Sequence, residues 1–295
     1  MIKHLGLKAY GKINLALDVL RKKEDGYHEV RMIMQTVQVY DKIDLIRSEC
    51  PGIRLSTNLY YLPDNENNLG YRAARLLMDE FGIGEGLEIR IRKFIPVAAG
   101  MAGGSSDAAA VLFGVTSLCS LGLSLEQLME RGVKLGADVP YCVMRGTALS
   151  EGIGEILTPL PPVLQCQVLI ARPPISVSTK WVYENLNVAA RRQDEHPDVE
   201  RVRRAIQEAD LYGIAGNMGN ILETVTIPAH PVIQELKEEM KRLGAINALM
   251  SGSGPTVFGL FVNPAAAETA YEELRFGNKG LARQVYLTSF YNRRE

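Results

Sequence analysis

Gly100, Gly103, Gly104, Ser105 and Ser106 stand where a strand pattern turns into a helix pattern, and the chemistry open to them is anion binding. Glycine reaches backbone dihedrals closed to other residues and lets a ligand approach the main chain closely. Ser105, Ser106 and Asp107 are helix-capping types, and Ala108 to Val111 with Leu112, Val115 and Leu118 continue as a buried helix. The loop therefore delivers free N–H groups at a helix N-terminus, which carries roughly half a positive charge and suits phosphate. Two other phosphate loops are excluded by residue type and spacing. No lysine lies between Gly100 and Ala110, as a Walker loop requires, and neither this run nor Ser251-Gly252-Ser253-Gly254 spells the Gly-x-Gly-x-x-Gly of a dinucleotide site. A glycine-rich turn before an ordinary core helix would show the same residues.

The elements that must position this loop follow from periodicity. Leu87, Ile89 and Ile91 alternate with Glu88, Arg90 and Arg92, the period of a half-buried strand, which Pro96 ends. Residues 5–20 read as paired or kinked strands with a break near Gly11. Ile13, Leu15, Leu17 and Val19 share one face there, so Lys12, Asn14 and Asp18 point to the other, and the polar side would carry function. Asp25-Gly26 in RKKEDGYH marks a tight reversal. Strands are expected around 32–39, 43–47 and 53–59. A helix is expected after Asn67, stopping at Gly82, and another from the Ser124/Gln127 capping box to about Gly136. GADVPYCV reads as a loop into a strand. Later come a strand at 168–171, helices after Ser178, Pro197 and Pro231, strands at 246–250 and 257–262 flanking SGSGPT, a helix to about Phe276 and a strand at 284–288. The proline-rich stretch from Leu157 to Pro162 marks the lobe boundary, giving lobes 1–158 and 159–295.

Composition narrows the partners. With 33 basic and 34 acidic residues and a net charge of -1, the 295-residue chain lacks the surface that wraps extended nucleic acid. Cysteines at 50, 119, 142 and 166 show no CxxC pairing and fit reduced thiols in a cytoplasmic protein, with no zinc site indicated. No run approaches 18 apolar residues, so no membrane partner is expected.

Three distant segments, KINLALDV at 12–19, PVAAGMAGGSSDAAAV at 96–111 and MSGSGPTVFGLF at 250–261, together resemble the three signature motifs of the GHMP small-molecule kinases. Within that superfamily, GKINLALDVLRKKEDGYHEV and GADVPY are similar to the 4-diphosphocytidyl-2-C-methyl-D-erythritol kinases, and the likeness extends over essentially the full chain. The resemblance implies a two-lobed α+β kinase fold, its first lobe similar to ribosomal protein S5 domain 2, with ATP and substrate meeting in the cleft between lobes. The implied reaction is ATP-dependent phosphorylation of the 2-hydroxyl of the methylerythritol unit, in non-mevalonate isoprenoid precursor synthesis. The acceptor would be a small cytidine diphosphate compound, and the enzyme a monomer or weak homodimer.

Roles carry over by position. Asp138 of GADVP matches the general base, and Lys12 would hold it ionised and stabilise charge on the alkoxide or transferred phosphoryl. Pro96, Val97, Ala98, Ala99, Gly100, Met101, Ala102, Gly103, Gly104, Ser105 and Ser106 would wrap the ATP phosphates. Mg²⁺ is implied by the chemistry, with Asp138, Ser106 and waters left open as ligands. Tyr27 and His28 would recognise cytosine, with Tyr183 as partner in a sandwich. Asn14 would orient substrate, and Gly252, Ser253 and Gly254 would close near its diphosphate. Two departures stand out: Ala98-Ala99 and Met101-Ala102 where many relatives have Gly-Ala-Gly-Leu-Gly, and Asp107 where others carry Asn. Taken residue by residue, a turn-forming aspartate, a solvent lysine, a buried tyrosine, a surface histidine and a plain strand-connecting turn are equally available. Another member of the superfamily, acting on homoserine, mevalonate or a sugar, and a catalytically silent sensor are the competing readings. The GYH segment argues against the first and the joint presence of Lys12 and Asp138 against the second.

Overall fold

The computed structural model describes residues 3–277 and 280–292. The chain runs β1 (His4–Lys22), β2 (His28–Ser48), β3 (Ile53–Thr57), α1 (Leu69–Glu80), β4 (Gly86–Arg92), α2 (Gly103–Leu118), α3 (Leu125–Val133), α4 (Val139–Met144), β5 (Thr147–Glu151) and β6 (Ile156–Pro159). It continues with β7 (Gln167–Arg172), α5 (Thr179–Asn185), α6 (Val199–Gln207), α7 (Leu211–Asn217), β8 (Gly219–Asn220), α8 (Glu223–Ala229), α9 (Val232–Arg242), β9 (Asn247–Met250), β10 (Val257–Phe261), α10 (Pro264–Phe276) and β11 (Gln284–Ser289). Helices and two mixed or antiparallel sheets make the α+β organisation expected above. The elements fall into two compact units, and β1 and β2 each contribute residues to both.

The first unit holds residues up to Gly11, Val39–Val97 and Ala102–Met144. Here β4 pairs antiparallel with the second half of β2, from Lys42↔Arg92 to Ser48↔Gly86, and β3 runs parallel to β4. Leu87, Ile89 and Ile91 are buried while Arg90 and Arg92 are exposed, as the alternation requires. Helix α2 is apolar nearly all round and lies deep. Gly114 lets it approach the sheet: a Cβ there would fall 2.0 Å from Leu45 Cδ1. Asn68 caps α1 by accepting from the Gly70 amide, Gly82 follows its end at φ +62°, and the Ser124/Gln127 capping box opens α3.

The second unit holds Lys12–Gln38, Ala98–Met101 and the chain from Arg145 onward. The first half of β2 pairs with β5, β5 with β6, and β1 lies parallel to β8 through Ala16↔Gly219 and Leu17↔Asn220. A second sheet has the order β11-β7-β10-β9, antiparallel throughout, with α9 and α10 packed on it.

Several expectations need correction. Residues 5–20 form one strand with no break at Gly11, and 32–47 lie within the single strand β2. Within β1 both faces are buried from Gly11 to Val19, so the polar face is enclosed rather than open. GADVPYCV leads into helix α4, all six residues of which are buried; a short, wholly apolar run gives no periodicity to separate helix from strand. Helix α3 stops at Val133 rather than near Gly136. The short elements β5, β6, α7, β8 and α8 have no counterpart in the periodicity reading. Among the described residues, no helix is long and apolar enough to cross a membrane.

Candidate active site

In the second unit, β1 presents Lys12 and Asn14 from one face, Lys12 5% exposed and Asn14 fully buried. A buried ammonium must be met by acceptors. Lys12 Nζ donates to Asn14 Oδ1 at 2.7 Å and to the Gly100 carbonyl at 2.9 Å, while the Lys12 amide donates to the Met101 carbonyl at 3.2 Å. The same Gly100 carbonyl accepts from Ser251 Oγ at 2.9 Å. Gly100 has φ +77°, and a Cβ on it would fall 2.0 Å from the Ser251 carbonyl oxygen, so both conformation and space demand glycine. Gly252 packs on the other side: its Cβ would meet Gly100 Cα at 3.2 Å and Lys12 Nζ at 3.5 Å. The two glycine turns singled out in the sequence thus touch, with Lys12 against both. Ser253 is buried, and its hydroxyl shares a 2.7 Å hydrogen bond with Thr179. Gly254, at φ +83°, follows it.

The 96–106 loop differs in detail from the capping pattern expected. Helix α2 begins at Gly103 with Ala102 as N-cap and no side-chain cap, so Ser105, Ser106 and Asp107 lie inside the helix. Its first amides, those of Gly103, Gly104 and Ser105, have no acceptor within the helix. The left-handed conformations belong to Ala98 (φ 50°), Gly100 and Ala102 (φ 54°), and neither Gly103 nor Gly104 uses that freedom. At an alanine this conformation costs roughly 1–2 kcal/mol. At Gly103 space is tight instead: a Cβ would meet Ile95 at 3.1 Å and Lys93 Nζ at 3.3 Å. Ser106 is buried and donates its hydroxyl to the Tyr10 carbonyl at 2.6 Å, while Ser105 is part-exposed.

Beneath that first turn sits a buried ionic cluster that periodicity does not reveal. Lys93 donates to Asp41 and, at 2.6 Å, to Asp107 Oδ2, and Asp41 also accepts from the Phe94 and Ile95 amides. Burial pushes the Asp107 carboxyl up to about 8 despite the attraction of Lys93, and the Asp41 charge pushes the same way. The two carboxylates in turn hold the Lys93 ammonium above its ordinary range against the opposing effect of burial. Asp107 therefore takes a structural partner, and its neighbour Lys93 had no signal beyond being a lysine at a strand end.

Tyr27 and His28 follow the Asp25-Gly26 turn, where Asp25 accepts from the Tyr27 amide at 3.0 Å; Tyr27 is 60% exposed. The His28 and Tyr183 rings lie 5.0 Å apart at 45°. That is direct ring contact, so Tyr183 packs against His28. Burial lowers the His28 pKa from 6.5, and the Lys22 charge adds to it, so its imidazole is neutral at pH 7 with one donor and one acceptor. Asp18, further along β1, bonds His196 Nδ1 at 2.8 Å. Asp138 belongs to the first unit, half-buried immediately before α4, where its carbonyl accepts from the Cys142 amide at 3.0 Å.

Comparison with known proteins decides the family. The profile for the GHMP kinases N terminal domain matches residues 68–146, and that for the GHMP kinases C terminal matches 180–279. A 4-diphosphocytidyl-2-C-methyl-D-erythritol kinase of Lachnoclostridium phytofermentans is 55% identical over 287 residues, 97% of each chain. This chain belongs to the GHMP kinase family. A crystal structure of a 4-(cytidine 5'-diphospho)-2C-methyl-D-erythritol kinase superposes with TM-score 0.80 at 30% identity, covering 97% of this chain and 99% of the other. A homoserine kinase of Cytophaga hutchinsonii shares the fold at TM-score 0.76 and 20% identity, over 98% and 96% of the chains. The GHMP kinase fold explains why such distant segments meet: in the second unit β1 lies against both glycine turns, at 98–101 and at 251–254.

The buried cluster under the first turn generates a pH dependence. Because the Asp107 carboxyl is raised from 3.8 to about 8, the folded chain holds more protons than the unfolded chain across that window, and its contribution to stability falls as pH rises. Asp107→Asn keeps an acceptor for Lys93 and removes the titration. Urea unfolding from pH 5 to pH 8 is expected to show the variant gaining on the parent as pH rises; a difference independent of pH would contradict this assignment.

Proposed function

We propose that this chain transfers the γ-phosphoryl group of ATP to the 2-hydroxyl of 4-diphosphocytidyl-2-C-methyl-D-erythritol, a step of non-mevalonate isoprenoid precursor synthesis. The observation that carries the reading is the 55% identity across 97% of both chains to a relative bearing that name. The geometry supports it with a nest of amides at the start of α2, an enclosed ammonium at Lys12 and a neutral histidine backed by an aromatic ring. Phosphoryl transfer asks little covalent chemistry of a protein and much positioning and charge neutralisation, which such a set supplies.

In this reading the loop of residues 96–106 wraps the ATP phosphates, with the amides of Gly103, Gly104 and Ser105 as its donors. Asp138 takes the proton of the acceptor hydroxyl as its oxygen bonds to the γ-phosphorus, and the bond to the bridging oxygen of ADP breaks. Lys12 stabilises the charge that collects on the phosphoryl oxygens. Held by Asn14 and the Gly100 carbonyl, its ammonium is already in place before substrate arrives. Oxygen donors suit a divalent cation, and Asp138, Ser106 and water would offer them to Mg²⁺; the Ser106 hydroxyl already donates to the Tyr10 carbonyl at 2.6 Å, which leaves its oxygen lone pairs for that role. When bound, Mg²⁺ neutralises phosphate charge. His28 reads the mixed donor and acceptor edge of cytosine, Tyr27 supplies a stacking face and Tyr183 fixes the histidine ring. Gly252, Ser253 and Gly254 face the acceptor's diphosphate. A functional division near residue 158 belongs to the same reading; the two family profiles end and begin on either side of it, at 146 and 180. So does a cytoplasmic enzyme with a small-molecule acceptor.

Two variants test these roles. Asp138→Asn removes the base while keeping shape, and a fall in kcat of roughly 10²–10⁴ is expected with acceptor binding preserved. An unchanged kcat would take Asp138 out of that role. His28→Ala is expected to raise the acceptor KM about tenfold or more, the equivalent of a lost hydrogen bond in a desolvated pocket, at constant ATP affinity. A loss confined to ATP affinity would contradict the cytosine assignment.

A further inference from the structure

The second glycine turn is held by a short segment that has no catalytic part in the reading above. Asn220, at the end of β8 and 6% exposed, turns both amide hydrogens onto that turn: its Nδ2 donates to the Met250 carbonyl at 2.9 Å and to the Gly252 carbonyl at 2.8 Å. Its Oδ1 accepts from the Leu222 amide at 3.0 Å, so both donors and the oxygen of the side chain are engaged. Two neighbours grip the same turn. Glu223 Oε1 accepts from the Met250 amide at 2.9 Å while its Oε2 is fixed by Lys237 at 2.6 Å, and the Thr226 hydroxyl lies 3.5 Å from the Ser253 carbonyl.

Asn220 is itself anchored to the strand that carries Lys12. Its backbone pairs with Leu17 of β1, and the next amide, that of Ile221, donates to the Leu17 carbonyl at 3.0 Å. One buried amide side chain therefore joins β1 to the turn that packs on Gly100 and Lys12. Gly252 sits at φ +57° and Gly254 at φ +83°, so the turn has little intrinsic preference for one conformation and depends on outside contacts for its shape.

We propose that Asn220 is a positioning residue for phosphoryl transfer, fixing the Met250 and Gly252 carbonyls so that residues 251–254 present a preformed turn to the acceptor's phosphates. The role rests on the assignment of that turn to the acceptor made above. Asn220→Asp tests it, because the substitution keeps size and the Leu222 contact but replaces two donors with an oxygen facing two carbonyl oxygens. Asn247→Asp is the matched control: Asn247 opens β9, the strand that enters the turn, but its Nδ2 donates away from the turn, to the Ala215 carbonyl at 2.6 Å.

Amide hydrogen exchange over residues 250–256 and steady-state kinetics, each with the full-length protein, give separable readouts. Asn220→Asp is expected to speed exchange in that segment about tenfold and to raise the acceptor KM about tenfold, consistent with loss of a buried hydrogen-bonded donor. ATP affinity measured without acceptor stays within twofold, and Asn247→Asp changes neither readout. Unaltered exchange in 250–256, or a KM shift reproduced by Asn247→Asp, would overturn the proposal, as would a loss of ATP affinity equal to the loss for acceptor. If the parent protein fails to turn over the cytidyl acceptor, the functional reading falls, while the exchange comparison still decides whether Asn220 holds the turn.

Discussion

A single carbonyl oxygen, that of Gly100, takes two donors at 2.9 Å: the ammonium of Lys12 and the hydroxyl of Ser251. Much of the second unit follows from this contact. Lys12 can be buried because a carbonyl and an amide oxygen replace its water. Gly100 must be glycine because the backbone of Ser251 occupies the space of a side chain. The segment 251–254 is glycine-rich because Gly252 and Gly254 are left-handed, at φ +57° and +83°, and a Cβ on Gly254 would fall 2.5 Å from Met250 Sδ. Three stretches separated by 88 and 151 residues are thereby fixed to one point, and the chemistry proposed for them depends on that point being rigid.

The first unit solves a related problem with ionisable groups. Lys93 lies between Asp41 and Asp107 under the first turn of α2, and Gly103 leaves room for its ammonium. Such a buried cluster is a poor source of net stability, since desolvation offsets much of the attraction and pushes the Asp107 carboxyl up to about 8. It does constrain geometry. The end of β4 and the start of α2 are locked together where the amides of Gly103, Gly104 and Ser105 must point one way. The left-handed alanines 98 and 102 add conformational strain to the same loop.

Long elements were legible in the sequence because each has one clear period or a capping signal. The alternation in β4, the Ser124/Gln127 box and the helical spacing after Asn67 that gives α1 all have local causes, and all are found in the structure. Failures came where the cause is tertiary. Strand β1 is buried on both faces, so its polar residues do not mark a solvent side. Helix α4 is six buried residues with no polar stripe to reveal it. At the site, glycine runs and the family likeness picked out Lys12, Gly100 and 251–254, but not what they touch. Asn220, Lys93 and Asp41 carried no sequence signal, since a buried amide or ion pair is recognisable only from its partners. The expected helix cap at Ser105 and Ser106 failed for a similar reason: Ser106 is taken by the Tyr10 carbonyl, far away in sequence.

The central claim is that the phosphate held at the α2 terminus goes to the hydroxyl of a cytidyl diphosphate acceptor and not to another alcohol. Phosphorus NMR of a reaction containing ATP, Mg²⁺ and, in parallel, 4-diphosphocytidyl-2-C-methyl-D-erythritol, homoserine or mevalonate tests it most directly. The account predicts one new phosphomonoester resonance with the cytidyl acceptor, its diphosphate signals retained and ADP formed in equal amount, and no product with the other two. A phosphomonoester formed from homoserine or mevalonate but not from the cytidyl acceptor would contradict it.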